Sequence, residues 1–143
     1  MNLPGAIQLA NDSILWLDRQ TDGVTLNANR RTLLAAGCLD MAVVHQKAIT
    51  LLLEDKLSGS ALSLVRLLFE SYIRGLWLKY CATDSDLERF SQGKDIGKFP
   101  DILAAVEQNE GYKSGILSQA KLRSWQAMNS FTHTGISQVS RRH

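Results

Sequence analysis

Arg66, Glu70 and Arg74 recur at intervals of four within SALSLVRLLFESYIRGLWLKYCA, the stretch from Ser60 to Ala82. Helical residues four apart stand nearly above one another, so these three side chains form one ionic column on an otherwise apolar helix. Ser63 stands above the column, and Trp77 and Cys81 continue it below. Glu70 lies one turn from each arginine, so its carboxylate can hold both guanidinium groups. Two uses follow from that chemistry. An ion network that sets helix register would consume the charges structurally. A site would use Arg66 and Arg74 to hold a phosphate or a developing negative charge beside Trp77, with Glu70 orienting them or moving a proton.

A second group sits near the C-terminus, where Thr132, His133, Thr134 and Gly135 are followed by Gln138 and Arg141. An imidazole between two hydroxyls at a helix break could act as general acid or base, because it titrates near neutrality. Thr134 could equally cap the turn that follows, and Gly135 permits conformations that other residues resist. If the terminal segment is helical, Arg141 falls roughly on the same side as His133. His45, in the middle of an apolar helical face, is either a hydrogen-bonded core residue or a group facing Glu70. Other chemistry is not encoded: there is no glycine-rich phosphate loop, no His-Glu-x-x-His, no paired-cysteine zinc pattern and no Gly-x-Ser-x-Gly elbow. No metal or cofactor is therefore implied.

These residues need elements to hold them. Ile7, Ala10, Ile14 and Leu17 share one face of a first helix, Pro4 to Arg19. A long second helix is predicted from Asn27 to Lys56. Leu34, Cys38, Met41, Ala42, His45, Ile49 and Leu52 lie on one side of it, and Asn29, Asp40, Lys47 and Glu54 on the other, which predicts a clean amphipathic helix. Ser58-Gly59-Ser60 is read as the turn into the third helix, which the short connection forces to run antiparallel to the second. Being apolar over most of its girth, the third helix is expected to be central. A capping box from Ser85 to Glu88 opens a short helix through Phe90, and Ser91 to Lys98 reads as a loop. Pro100 suits the first turn of a helix from Asp101 to Gln108, ended by Gly111. A last clear helix runs from Ser114 to Thr132, with Leu117, Ala120, Met128 and Phe131 on one face. No strand is predicted.

The expected fold class is all-α: an antiparallel bundle with two long central helices and shorter flanking ones, one domain over residues 1–143. A chain of 143 residues can bury roughly 70% of its unfolded surface. The 45% apolar and 21% charged composition is that of a globular protein. A net charge of +2 does not by itself indicate nucleic-acid binding, which the pI of about 8.6 leaves possible. Cys38 and Cys81 fall inside helical patterns and read as buried free thiols. With no secretory leader legible, and the longest apolar segment broken by Arg66, Glu70 and Arg74, a cytoplasmic protein without a membrane span is expected. The final residues, Ser140-Arg141-Arg142-His143, read as the inside of a helix, which points to a truncated C-terminus.

Taken together, LVRLLFESYIRGLWLKYCATDSDLERF and WQAMNSFTHTGISQVSRR resemble a bacterial family of all-helical proteins with no assigned activity. The matching residues are Arg66, Glu70, Arg74, Gly75 and Trp77, then Thr132, His133, Thr134, Gly135, Gln138 and Arg141. The chain is more weakly similar to HEPN-type and abortive-infection helical domains, bundles that often dimerise. Catalytic HEPN ribonucleases use an Arg shortly followed by a His, a pair missing here, since Arg123 is separated from His133 by nine residues and Arg141 follows the histidine.

The expected function is a non-catalytic oligomerisation or protein-interaction module, forming a homodimer through its long helices or engaging another protein. One alternative is a nuclease or other hydrolase using His133 and Glu70 with Arg66, Arg74 and Arg141. A second is binding of a small anion in the same groove.

Overall fold

The computed structural model describes the backbone of residues 3–23 and 29–132, and the side chains of residues 4–23 and 29–126. Over these residues the protein is an all-α bundle: α1 (Leu3–Thr21), α2 (Arg30–Glu54), α3 (Ser58–Tyr80), α4 (Asp84–Ser91), α5 (Phe99–Glu107) and α6 (Ile116–Thr132). There is no strand among the described residues.

The two long helices are joined by a closure that the sequence reading placed too late. Lys56 adopts φ 60°, the left-handed conformation that usually selects glycine. The Leu57 N–H then donates to Leu52 O at 2.8 Å and the Lys56 N–H to Leu53 O at 3.0 Å, the paired bonds of a Schellman motif. The turn is thus Asp55-Lys56-Leu57, and Ser58 and Gly59 already belong to the first turn of α3. No serine caps that helix, because Leu57 occupies the N-cap position.

α3 is the centre of the bundle, packed against α2, α5 and α6. The main core is built on its second half. Phe69, Ile73, Leu76, Trp77 and Leu78 are buried against Leu87 of α4, Ile102, Leu103 and Val106 of α5, and Leu117 of α6. Each fully buried aliphatic side chain of this kind stabilises by roughly 1.5–3 kcal/mol. α5 forms because Pro100 sits in its first turn, where the missing N–H costs nothing, and Asp101 complements the helix dipole there.

α4 is held by a capping box whose register differs from the expected one. Thr83 is the N-cap; its hydroxyl accepts from the Asp86 N–H at 3.1 Å, and the Asp86 carboxylate accepts from the Thr83 N–H at 2.9 Å. Ser85 and Glu88 instead lie inside the helix. Glu88 is drawn away to pair with Arg30 of α2, and that bond, with one from Gln92, holds its carboxyl below the usual range. Arg31 completes the seam by donating to Leu78 O at 2.6 Å.

α2 is not the amphipathic helix that its polar residues suggested. Its contact with α3 runs through Ala35 and Leu39, which approach Gly75, and its buried residues are Ala35, Ala42 and Thr50. Met41, expected on the core face, is exposed together with Leu33, Val44 and Leu51. Apolar residues occupy a wide arc of the helix beside the polar strip of Asp40, Lys47 and Glu54, and the narrow, small-residue edge goes inward because close packing on α3 requires it. By length and composition α2 is apolar enough to cross a membrane.

Candidate functional site

Within the ionic column, helical spacing alone sets the first contacts. Glu70 receives the Arg66 Nε at 3.0 Å on one carboxylate oxygen, and the Arg74 Nη1 stands 3.7 Å from the other. The carboxylate is the sheltered member, with its side chain 15% exposed against 61% for Arg66 and 39% for Arg74.

Tertiary packing then engages Arg66 a second time. The Arg66 guanidinium lies over the Trp125 ring of α6, 5.6 Å from its centroid. Trp125 stacks on Phe99 of α5, with ring planes 6° apart and centroids separated by 6.4 Å, and Phe69 meets both rings edge-on. Lys121 covers the same rings, 5.3 Å from Phe99 and 5.8 Å from Trp125. Such contacts stabilise by roughly 0.5–1 kcal/mol each at exposed positions. The upper half of the column therefore clamps α3 to α5 and α6. Trp125 and Lys121 were absent from the sequence-based site. Their signal was available, since Leu117, Lys121, Trp125 and Met128 follow one another at intervals of four, four and three.

Arg74 looks the other way. It lines an apolar groove of ≈ 400 Å³ between α2, α3 and α4, with Leu34, Gly37, Cys38 and Met41 on one wall, Ser71 beside it and Phe90 at the end. Burial pushes the Cys38 thiol up, and the positive charge of Arg74 partly offsets that rise. Trp77, expected to line the site, is buried in the core. Cys81 accepts a bond at 3.4 Å from the Asn109 side chain, which joins the ends of α3 and α5.

The structure therefore brings together Arg66, Glu70 and Arg74, and takes Trp77 away into the core. His45 is half-buried on α2, and no hydrogen bond or ion pair joins it to Glu70 among the described residues. His133, Thr134, Gln138 and Arg141 lie outside the described residues, as does the Thr132 side chain. Among the described residues no three His, Cys, Asp or Glu side chains gather as metal ligands. What remains is a carboxylate with both oxygens committed to its own helix. An incoming anion would have to compete with Glu70 for Arg74.

Residues 39–143 match the model of a family described as "Family of unknown function (DUF6988)". The chain belongs to that family. The DUF6988 match opens inside α2 and takes in α3 to α6, so the ionic column, the Trp125 clamp and most of the exposed apolar edge of α2 fall within it. No curated protein and no solved structure matches the chain.

Proposed function

We propose that this DUF6988 chain is a non-catalytic helical module that works by associating with another protein surface through the outer face of α2. The observation that carries this reading is the uneven distribution of the core. The main buried cluster draws Ala35 from α2 and otherwise begins at Phe69. Among the described residues, the buried ones outside it are Ile14, Ala42, Thr50, Ala61 and Gly75, four of them small. Of the exposed apolar side chains in that half, Leu33, Met41, Val44 and Leu51 fall on one outward arc of α2. Apolar side chains concentrated in this way mark association sites, whereas scattered ones do not.

A lipid environment fits this face less well. α2 is bound along its length to α3, which carries Arg66, Glu70 and Arg74, so the helix pair cannot enter hydrocarbon without burying those charges. A hydrolase reading would need Arg66 or Arg74 free for substrate, and both are already engaged.

The test is a photo-crosslinking residue introduced at Val44, compared with one at Ser85 on α4, in the expressing cell. The expected result is a protein adduct of defined mass from position 44, absent from position 85 and lost when Met41→Glu is added. If position 44 gives no protein adduct, the reading fails.

A further inference from the structure

We infer that the surface covering α2 is α2 of a second copy of this chain, lying antiparallel about a two-fold axis at Val44. This rests on the association reading and specifies its partner. Leu34, Gly37, Met41, Val44, Ala48 and Leu51 follow one another at alternating spacings of three and four, the repeat of a two-stranded helical seam. α1 does not cover it. That helix is tied to the flank of α2, where Asp18 meets Lys47 at 3.5 Å and Asn11 bonds Glu54 at 3.0 Å. The seam is left open, with Leu33, Met41, Val44 and Leu51 exposed by 51%, 46%, 48% and 65%.

The sizes along the seam are complementary to themselves when reversed. About Val44, the most exposed leucine, Leu51, falls opposite Gly37, where nothing lies within 4 Å of a Cβ position. Met41 falls opposite Lys47, one residue from the small Ala48, and Val44 meets its own copy. Self-complementarity of this kind is what a two-fold interface requires.

Charge selects the same arrangement. Asp40 and Lys47 border one edge of the seam and both are exposed. A two-fold axis perpendicular to the helices sets that edge against itself in reverse, so Asp40 stands by Lys47 of the second copy, twice. A parallel two-fold pair would place that edge on opposite sides of the interface, so neither charge would meet its complement.

The area is adequate. From Leu33 to Leu51 the seam is roughly 27 Å long at 1.5 Å per residue. With a helix width of about 10 Å and the relief of its side chains, it covers roughly 500–600 Å² per copy. Specific interfaces begin near that size, about 600 Å² a side, so a reversible dimer is expected.

Purified protein, with Cys38 and Cys81 replaced by serine, tests the arrangement by cysteine pairing and light scattering. Val44→Cys should form a reducible dimer. Leu51→Cys alone should not, whereas mixing it with Gly37→Cys should give a cross-linked pair. Efficient Leu51→Cys homodimers would overturn the antiparallel arrangement while leaving the association reading intact. A wild-type protein that stays monomeric, in a chain whose position 44 cross-links to a different protein in cells, would overturn the second copy alone. Charge reversal gives an independent check. Asp40→Lys or Lys47→Glu should each weaken self-association by roughly tenfold, and the double variant should recover it. The double variant also lacks the Lys47–Asp18 pair, so recovery cannot come from the monomer. Failure to recover would count against the register.

Discussion

Gly75 of α3 lies so close to Leu39 of α2 that a Cβ on the glycine would stand 2.8 Å from both Leu39 Cγ and Cδ2, and 3.3 Å from Ala35 O. Alanine is the better helix former by about 1 kcal/mol. Overpacking a tight contact costs about 1–3 kcal/mol, and here one neighbour is backbone. The packing term is the larger, so Gly75→Ala should lower stability by about 1 kcal/mol and Gly75→Val by more. Chemical denaturation checks it; a stabilised Gly75→Ala would show that the helices are not in contact at this level.

Lys56 tests the opposite sign. A non-glycine residue in the left-handed region is strained by about 1–2 kcal/mol. Lys56→Gly relieves that strain while adding roughly 0.4–1 kcal/mol of unfolded-state entropy. A net gain of about 0.5–1 kcal/mol is expected, read as a rise in denaturation midpoint with unchanged slope. A loss would mean that the α2–α3 closure is not the Schellman turn.

Thr83 and Ser85 separate two registers for the start of α4. Thr83→Ala removes the hydroxyl that receives the Asp86 N–H and should cost about 1 kcal/mol. Ser85→Ala, inside the helix and exposed, should change stability by no more than about 0.5 kcal/mol. The reverse order in thermal melts would restore the sequence-based box. That box was mistaken for a legible reason: Ser-x-x-Glu and Thr-x-x-Asp overlap here, and the choice fell to Arg30, which removes Glu88 for its own pair.

Arg66→Lys keeps the charge beside Glu70 but loses the planar group over Trp125. It should cost a measurable part of the roughly 0.5–1 kcal/mol of that contact. Arg66→Ala should cost more, about 1 kcal/mol, since the ion pair contributes only 0.3–0.5 kcal/mol in addition. A double-mutant cycle with Trp125→Leu isolates the ring contact; a coupling near zero would remove the clamp.

Tyr72 gives the protein an alkaline limit. Burial, and a hydrogen bond with Tyr112, push its hydroxyl up from 10.0 to about 12. The folded state holds this proton more tightly than the unfolded one. The stabilisation is therefore complete below about pH 10 and is lost as pH rises toward 12. Tyr72→Phe should flatten the fall in melting temperature across that window. An unchanged alkaline profile would show that Tyr72 does not carry it.

Whatever depends on neighbours a few residues apart was legible in the chain directly. Helical periodicity placed the helices to within a few residues, the short connection made α2 and α3 antiparallel, and four-residue spacing put Glu70 between two arginines. The central position of α3 followed from its apolar girth. Tertiary structure alone decided which apolar surface goes inside. On α2 a wide apolar arc was legible, but close packing chose the edge of Ala35, Leu39 and Ala42, because only small or facing side chains let the backbone approach Gly75. The bulkier Leu33, Met41, Val44 and Leu51 were left outside. The ionic column was settled in the same way: a ring from α6, more than fifty residues away in the chain, claims Arg66. Local spacing creates an interaction within one helix, but a contact between helices exists only once the whole bundle has formed.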